Sequence, residues 1–454
     1  MFIFSHASKL SMASVVEQVA PNHKATITFY AGTQTIGGTI AAIEYNNHRV
    51  VFDFGTDFRP DPETLAALRE LNDDNALRIF LEQRLLPKVD GVYPDAQVTA
   101  FPGLIGAAEF PIHTAVIISH LHLDHVGGLL CIDPGIDVYM SDKSLELYNV
   151  LSEAGDRPFG HERTFNGVPY YKPFFVGDIK ITAYPIDHDC YGASAFIIEA
   201  GDKRIAYTGD LRIHGVHSRY TFEYIEAAKH ADLLITEGVA ASFLPDDYEL
   251  VGSKEFGEDF YAEKDLDRQF LDLFELKKPI LFDFYARNIE RLRMIIDTAS
   301  KTDKQLVLSP KHAFLAKKLL GADVRTTDSL TDADYESDRL LINLPFEQFD
   351  SCIDKVASGS IYIHSNSEPL GPFDSRWQAF IDALAIRDIE LHSLHSSGHG
   401  KAEHIQYVID QIQPKVLMPV HSLKPYKSVG PNQRILPEIG VTYMIDGGDG
   451  QANK

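Results

Sequence analysis

Residues 120–128 read HLHLDHVGG and directly follow the apolar run TAVIIS at positions 114–119. The run predicts a buried strand that delivers His120 from its C-terminal end. Four side chains able to bind a metal ion then fall within six residues: His120, His122, Asp124 and His125. Zinc accepts imidazole and carboxylate ligands and keeps an open position in catalytic sites. The stretch therefore predicts a catalytic metal centre, and a histidine-rich surface loop is the alternative.

The spacing within this stretch predicts two ligand groups. His120 and His122 leave the strand on one side of a tight loop, whereas Asp124 and His125 begin the next helix. Ligand groups offset by one turn suit two ions about 3.5–4 Å apart. The two glycines that follow allow the backbone to pack closely behind the site.

The segments before and after the histidine stretch alternate between strand and turn signals. Residues 24–53 contain the strands TITFYA, GTIAAIEY and RVVFDFG, with Asn46-Asn47 as a hairpin turn. Two helices are predicted at 62–71 and 76–86, and two more at 144–154 and 220–230. Further strands are predicted at DIKITAYP, ASAFIIEA, KRIAYTGD and DLLITEG.

From about residue 241 to 391 the chain alternates helix and apolar strand. The strands are PILFDF, QLVLSP, RLLINLP and SIYIHS, and the helices are expected at 288–299, 313–320 and 374–386. This alternation predicts a parallel, doubly wound α/β unit. No GxGxxG opens a helix there, so dinucleotide binding has no support. A helix at 402–411 and the strands KVLMPV and VTYMID follow. The simplest organisation is one domain, 20–240 and 391–454, interrupted by an inserted domain, 241–390.

Composition limits the possible function classes. The chain has 454 residues, 44% of them hydrophobic, and a net charge of −23, which argues against tight, indiscriminate binding to long polyanions. The apolar runs are far shorter than the roughly 20 residues of a membrane span, and the first residues lack a signal-peptide pattern. Three widely spaced cysteines argue against a disulfide framework and fit a reducing, cytoplasmic location.

The HLHLDHVGG stretch resembles the signature of the metallo-β-lactamase superfamily. Three further stretches resemble other motifs of that superfamily in the expected order: VVFDFG with Asp53, YPIDHDCYGASAFIIE with His188 and RIAYTGDLRIHG with Asp210. Three later stretches resemble the β-CASP nucleases of the ribonuclease J type: LLITEG with Glu237, LHSSGHG with His399 and LMPVHS with His421. The resemblance covers about residues 25–445. It implies an α/β fold in which a metallo-β-lactamase αββα sandwich is interrupted by a β-CASP doubly wound domain.

The resemblance also implies a set of ligands for two zinc ions, with manganese as a possible substitute. One ion would be held by His120, His122 and His188, and the other by Asp124, His125 and His421, with Asp210 bridging the two. A hydroxide shared by the ions would be the nucleophile, because the ions lower its pKa towards about 7.

The same resemblance assigns roles in catalysis. His399, paired with Glu237, is the implied general acid, since a carboxylate beside an imidazole raises its pKa and fixes its tautomer. Asp124 is counted among the catalytic residues as well as among the ligands. Asp53 is expected to orient a ligand histidine or its loop.

Four residues are predicted to contact the substrate, and each has an alternative structural explanation. Ser365, Ser367, His395 and Ser397 resemble the family's pocket for a nucleotide phosphate, although capping of ordinary turns explains such residues equally well. Arg287, Arg291 and Arg293 are expected either to flank a nucleic-acid channel or to lie on a solvated helix face.

The resulting hypothesis is a di-zinc hydrolase that cuts phosphodiester bonds, in RNA more readily than in DNA. Exonuclease and endonuclease action and direction of cleavage stay open.

A small-molecule hydrolase acting on a lactone, thioester or phosphoester is the alternative, and it fits the acidic charge. A third possibility is a scaffold without catalytic activity. Such a protein would have lost metal ligands, and this chain retains all seven implied ligands. By analogy the protein is expected to form a homodimer or homotetramer. The chain departs from the ribonuclease J pattern in ending soon after the core and in having PVHS where PVHGE is usual.

Overall fold

A computed structural model describes residues 23–56, 75–156, 163–250, 262–372, 374–445 and 452–453. The predicted helix at 62–71 lies outside these residues. Strands are numbered β1 to β21 and helices α1 to α11 along the described chain. The fold belongs to the α/β class, as predicted, and contains three sheets.

The first sheet has eight strands and carries the HLHLDH loop at the end of a central strand. Its spatial order is β21 (Ala452–Asn453), β20 (Thr442–Met444), β1 (Thr26–Ala31), β2 (Ile40–Tyr45), β3 (His48–Phe52), β4 (His113–Ile117), β5 (Asp137–Ser141) and β6 (Phe165–Val168).

The second sheet has seven strands and supplies the other strand ends that approach this loop. Its spatial order is β19 (Gln433–Arg434), β18 (Val416–Pro419), β11 (Leu233–Thr236), β10 (Lys203–Tyr207), β9 (Ser194–Ala200), β8 (Ile179–Pro185) and β7 (Pro173–Val176).

The two sheets pack face to face through one apolar layer. Phe52 of the first sheet contacts Phe196 and Tyr207 of the second, with ring centroids 6.4 Å and 5.1 Å apart. Helices cover the outer faces, which completes an αββα sandwich. The helices of this part of the chain are α1 (Ala76–Glu82), α2 (Asp95–Val98), α3 (Leu123–Val126), α4 (Asp142–Glu153), α5 (Ser218–Ala228) and α11 (Ala402–Ile412).

The third sheet has six strands, all parallel to one another, and lies between β11 and β18 in sequence. Its spatial order is β14 (Arg325–Thr326), β13 (Gln305–Leu308), β15 (Leu340–Asn343), β12 (Ile280–Phe284), β16 (Ile361–Ser365) and β17 (Glu390–Ser393). Its helices are α6 (Leu266–Phe274), α7 (Ile289–Ala299), α8 (Pro310–Leu320), α9 (Phe346–Cys352) and α10 (Trp377–Ile386). The parallel α/β unit predicted from the sequence is confirmed.

Strand direction explains why distant segments meet at one edge of the sandwich. Strands β10, β11 and β18 are mutually parallel, and β8 runs the same way because both β8 and β10 pair antiparallel with β9. The carboxyl ends of these four strands therefore lie at the same edge. Each end is followed within a few residues by a candidate site residue: His188, Asp210, Glu237 and His421 in chain order.

Most secondary-structure predictions agree with the structure to within a few residues. The Asn46-Asn47 hairpin is confirmed, since β2 pairs antiparallel with β3 and both asparagines have a positive φ, 48° and 61°. The predicted helix at 76–86 is shorter, ending at Glu82. Helices α2, α6 and α9 and the strands β5, β6, β7, β14, β17, β19 and β21 were not predicted. β17 has no fully buried residue, so it lacks the apolar pattern on which such predictions rest.

No helix among the described residues is both long and apolar enough to cross a membrane.

The hairpin turn gives a test of the fold. Both of its residues occupy the left-handed region, which non-glycine residues other than Asn and Asp adopt at a cost of about 1–2 kcal/mol. We expect Asn47→Ala to lower the free energy of unfolding by about 1 kcal/mol, measured by urea denaturation. Asn47→Gly is the matched control and should leave the midpoint unchanged or slightly higher, since glycine adopts this φ freely. If both variants lost the same free energy of unfolding, the left-handed conformation of Asn47 would not be the cause of the loss.

Candidate metal centre

The seven predicted ligand side chains converge in the structure. They form two groups whose ligand atoms lie within 4.8 Å of one another: His120, His122 and His188 in one, and Asp124, His125, Asp210 and His421 in the other. Asp210 also reaches the first group, because its Oδ2 lies 3.7 Å from His120 Nε2 and 4.0 Å from His188 Nε2. One carboxylate thus stands between two sets of imidazoles.

The first group is built from a loop after β4 and a loop after β8. His188 Nε2 lies 3.2 Å from His122 Nδ1, and the ring centroids of His120 and His188 are 4.5 Å apart. His188 Nδ1 donates to the carbonyl of Gly398 at 2.7 Å. That hydrogen bond places the proton on Nδ1, so the Nε2 lone pair faces the cluster and is available to a cation.

The second group centres on the carboxylate of Asp210. His125 Nε2 lies 3.2 Å from Asp210 Oδ2, and His421 Nδ1 lies 3.8 Å from Asp210 Oδ1. Asp124 Oδ2 lies 3.6 Å from Nε2 of both His125 and His421. Separations of 3.2–3.8 Å are close to those between two donor atoms that bind one ion at about 2.0–2.2 Å.

Several of the converging atoms are buried without a hydrogen-bond partner among the described residues. They are Nε2 of His120, His122 and His125, Oδ2 of Asp210, and both ring nitrogens of His421. Buried polar atoms in folded proteins are normally paired. A site for divalent cations requires several unpaired nitrogen and oxygen atoms that face one space. These residues provide them and therefore fit such ions.

Asp53 supports the second group from behind. It is fully buried, and its Oδ2 accepts from His125 Nδ1 at 2.9 Å and from the hydroxyl of Tyr207 at 2.5 Å. Its Oδ1 accepts from the backbone N–H of Ser119 at 2.7 Å. Asp53 and His421 both have a positive φ, 55° and 51°. Such backbone strain in non-glycine residues tends to occur at functional sites.

Burial and neighbouring charge set the protonation of the two groups. Burial lowers the pKa of His122 and of His188 to about 4, so both are neutral near pH 7 and able to bind a cation. For His125, burial acts in the same direction but the carboxylates of Asp210, Asp124 and Asp53 outweigh it and raise its pKa. The neighbouring histidines, His421 first, hold the pKa of Asp210 well below its ordinary value despite burial.

His399 and Glu237 form a separate pair beside the cluster. His399 Nδ1 lies 3.2 Å from Glu237 Oε1 and 3.7 Å from Asp210 Oδ2. Burial opposes protonation, but the Glu237 and Asp210 carboxylates raise the pKa of His399 to about 10. Glu237 is held in turn by the backbone N–H groups of Leu211 and Val239. The pair is therefore oriented and able to carry a proton.

The predicted phosphate-binding residues differ in how exposed they are and in whether their polar atoms are already hydrogen-bonded. The hydroxyl of Ser365 is already engaged, since it donates to the carbonyl of Leu394 at 2.5 Å and accepts from Arg291. Ser367 is 3% exposed, whereas His395 and Ser397 are exposed. The Oγ of Ser397 accepts from the backbone N–H of His399. His395 and Ser397 thus keep polar atoms that a ligand can reach, whereas the Oγ of Ser367 is buried and has no hydrogen-bond partner among the described residues.

A buried ion network behind these residues joins the sandwich to the third sheet. Glu263 accepts from Arg212 Nη1 at 3.0 Å and from Arg291 Nη2 at 2.8 Å, and Arg212 Nε donates to Asp187 at 2.9 Å. Arg212 follows Asp210 by two residues, and Arg291 donates to Ser365. Glu263 was not predicted, because a single acidic residue in a polar stretch carries no sequence signal. Its two ion pairs link the candidate ligand loop to the phosphate-binding residues.

The arginines next to the third sheet correct one expectation. A solvated helix face is wrong for Arg287 and Arg291, which are 4% and 0% exposed, and holds for Arg293, which is exposed. Arg287 precedes helix α7, and Arg291 faces the buried network.

Asp189 is a further residue that the sequence argument passed over. Its Oδ1 lies 3.5 Å from His188 Nε2 and 3.8 Å from His122 Nε2, and its Oδ2 accepts from Asn366 Nδ2 at 3.4 Å. The available signal was its position directly after His188. The carboxylate adds negative charge to the first ligand group.

The network around Glu263 gives a stability test. Glu263→Gln removes a charge shared by two buried guanidinium groups, and breaking a buried ion pair in this way costs about 3 kcal/mol or more. Chemical denaturation should show a loss of that order. Glu226→Gln is the control, because its ion pair with Lys229 is exposed and its loss should hardly move the midpoint. A loss no greater than that of the control would contradict the network's role.

The convergence on Asp210 gives a test of metal binding. We expect Asp210→Asn to weaken binding of Zn²⁺ or Mn²⁺ by at least about tenfold, since the bridging charge is lost from both groups. Metal per chain, measured by elemental analysis after dialysis, should fall, while circular dichroism stays unchanged. His392→Ala, a change at a half-buried residue paired with Glu390 outside both ligand groups, is the control and should keep its metal. Equal metal content in both variants would show that Asp210 is not a ligand.

Comparison with known proteins identifies the family. Residues 92–246 match the model of the "Beta-lactamase superfamily domain". The chain is 21% identical to "Ribonuclease J" of Mycoplasma pneumoniae (strain ATCC 29342 / M129 / Subtype 1), over 92% of this chain and 73% of that protein. It is also 21% identical to "Ribonuclease J 1" of Streptococcus pyogenes serotype M3 (strain ATCC BAA-595 / MGAS315), over 74% of this chain and 63% of that protein.

A solved structure extends the comparison over the whole fold. A protein of unknown function from Enterococcus faecalis V583 is 33% identical, with a TM-score of 0.77 over 93% of this chain and 100% of the other. The ligand motifs, the αββα sandwich with its parallel third sheet and these relatives agree. The chain therefore contains a domain of the metallo-β-lactamase superfamily of hydrolases and, over most of its length, is similar to the ribonuclease J proteins of the β-CASP branch.

Proposed function

We propose that the protein is a nuclease that hydrolyses phosphodiester bonds of RNA, using two zinc ions, with manganese as a possible substitute. The observation that carries the proposal is the convergence of two ligand groups on Asp210, with the His399–Glu237 pair beside them. The similarity to two proteins named as ribonucleases supports RNA as the substrate.

The proposed ligands are His120, His122 and His188 for one ion and Asp124, His125 and His421 for the other, with Asp210 shared. When bound, the ions would supply a nucleophile from water at neutral pH and positive charge next to the scissile phosphate. Asp53 keeps His125 in the orientation that this ligand set needs, through the hydrogen bond to Nδ1.

The leaving oxygen needs a proton, and His399 is placed to donate it. Glu237 holds Nδ1 of His399 at 3.2 Å, which leaves Nε2 directed away from the carboxylate. The raised pKa of His399 keeps its imidazole protonated at neutral pH, as a general acid requires. Ser367, His395 and Ser397 would hold a phosphate of the substrate through hydroxyl and ring N–H groups.

The acidic net charge is compatible with this proposal. A charge of −23 disfavours sequence-independent adhesion to long RNA, so affinity must come from the site itself. Two divalent cations at the bottom of a cleft would supply local positive charge where the protein surface supplies little.

We further propose the division into a metallo-β-lactamase domain, 20–240 and 391–454, and an inserted β-CASP domain, 241–390. The third sheet, which lies almost wholly within the inserted stretch, and the return of the chain to the second sheet at β18 support it. Homodimer or homotetramer formation stays a prediction by analogy, which light scattering on the purified chain would test.

The deciding experiment compares 5′-labelled RNA and DNA oligonucleotides of one sequence, with and without a chelator. We expect RNA to be cut faster than DNA, and both reactions to stop when the metals are removed. Turnover of a lactone, thioester or small phosphoester without nucleotide release would favour the small-molecule hydrolase instead. Bound metal with no turnover of either class would favour a scaffold.

The role of His399 has its own test. We expect His399→Ala to lower the RNA cleavage rate by at least about 100-fold, because general acid catalysis contributes that much, while metal content stays within about 20% of the wild type. His392→Ala is the control. His392 lies in β17 and pairs with Glu390, so the variant should cleave RNA at the wild-type rate. Loss of metal from His399→Ala would instead make His399 a ligand.

A further inference from the structure

Two buried histidines pack behind the loop that carries His399, and the function proposed above does not use them. His214 lies in the stretch that follows Asp210, and His404 lies in the first turn of α11. They are 2% and 3% exposed, and their ring centroids are 5.2 Å apart. Their Nδ1 atoms lie 3.3 Å from each other, so the two rings are hydrogen-bonded.

The bonding pattern determines which ring nitrogens carry a proton. His214 Nε2 lies 3.2 Å from the carbonyl oxygen of Ser397, and a carbonyl only accepts, so His214 carries its proton on Nε2. Nδ1 of a neutral His214 is then an acceptor, and Nδ1 of His404 must donate to it. A chain of hydrogen bonds therefore runs from His404 through His214 to the Ser397 carbonyl.

This chain requires neutral rings, and the surroundings keep them neutral. Burial and then the Arg212 guanidinium lower the pKa of His214 to about 4. Burial and then His214 lower the pKa of His404 to about 3. The ammonium group of Lys401 disfavours protonation of both rings, and the carboxylate of Glu263 acts in the opposite direction on His214. Near pH 7 both imidazoles are therefore uncharged.

The Ser397 carbonyl that ends the chain is bonded closely to the His399 backbone. It accepts from Arg212 Nη1 as well as from His214 Nε2, each at 3.2 Å. The Oγ of the same Ser397 accepts from the backbone N–H of His399 at 3.0 Å. Displacement of the Ser397 carbonyl would therefore displace His399.

The position of this loop depends on such contacts. Residues 394–401 join β17 to α11 and form no helix or strand. The stretch after Asp210 bonds to the loop a second time, since the N–H of Gly400 donates to the carbonyl of Leu211 at 2.7 Å. A segment with few ordered contacts of its own opens locally when one of them is lost.

We propose that His214 and His404 form a positioning pair that holds the loop of residues 394–401 through the Ser397 carbonyl and so keeps the His399 imidazole in place. Both rings are buried, so they act through Ser397 and not on the substrate. The inference rests on the proposed nuclease function for the role of His399, whereas the anchoring of the loop does not depend on catalysis.

The first test compares two substrates that differ in their need for a general acid. RNA cleavage needs a proton on the leaving oxygen, whereas bis(p-nitrophenyl) phosphate releases a stable phenolate without one. We expect His214→Ala to lower kcat for RNA by at least about tenfold, because misplacing a reacting group by about 1 Å can cost about 100-fold. KM, metal content and turnover of bis(p-nitrophenyl) phosphate should stay within about twofold of the wild type, since the metal ligands are unchanged.

Three further variants separate positioning from general stability. His214→Gln keeps an N–H that can reach the Ser397 carbonyl and should restore kcat for RNA to within about threefold of the wild type. His404→Leu removes only the donor to His214 and should show a smaller fall of the same kind, which decides the question if His214→Ala does not fold. Tyr362→Phe is the matched control, because it removes a buried bond to the carbonyl of Leu344 in β16 and should cut RNA normally.

The second test measures the loop without any substrate. Hydrogen exchange of the metal-loaded protein, followed by mass spectrometry, reports on the N–H groups of His399 and Gly400. We expect the peptide that contains residues 394–401 to exchange at least about fivefold faster in His214→Ala, because the loop opens more often. Exchange of helix α5 should be unchanged, and His214→Gln should return the loop to the wild-type rate.

The outcomes separate this inference from the proposed function. Faster loop exchange in His214→Ala, in a protein that does not cut RNA, would keep the anchored loop and overturn the nuclease. Wild-type exchange and wild-type RNA cleavage in His214→Ala would overturn the positioning pair and keep the nuclease. An equal fall for RNA and for bis(p-nitrophenyl) phosphate would also overturn it, because the damage would then lie at the metal centre.

Discussion

The fold places five imidazoles and two carboxylates around one small space, and most of their facing atoms are buried without partners among the described residues. Burying so many unsatisfied polar atoms costs several kcal/mol unless they bind something. Divalent cations bound there would offset this cost, because an ion accepts imidazole lone pairs and balances carboxylate charge. Much of the surrounding architecture acts to hold that arrangement.

Support for the cluster comes from both sides. Asp53 and the carbonyl of Gly398 orient His125 and His188 through their Nδ1 atoms, so the Nε2 atoms face inward. Behind the cluster, the buried network of Arg212, Glu263 and Arg291 joins the sandwich to the third sheet. The metal ligands and the residues expected to hold phosphate are therefore fixed relative to each other by short ionic contacts. A hydrolase needs this, since its reacting groups must stay within a fraction of an ångström of their working positions.

The third sheet lies beside the candidate metal centre. Its carboxyl edge carries Ser365 and Ser367, and the ring of Tyr285, just after β12, packs against the candidate ligand His122. The covering of the metal ligands by a second α/β unit creates a cleft rather than an open surface. Such a cleft would suit the extended substrate proposed above, on a chain whose net charge of −23 disfavours sequence-independent binding to long RNA.

Local sequence was sufficient to predict the α/β class, the hairpin at Asn46-Asn47 and most strand ends, because turn chemistry and apolar runs are properties of neighbouring residues. It also singled out the HLHLDH stretch, whose ligands lie within six positions. It did not predict Glu263, Asp189 or the burial of Arg287 and Arg291, since each depends on partners from distant segments. Only the tertiary structure decided these, because the packing of helices and loops against the ordered strands determines which distant charges meet.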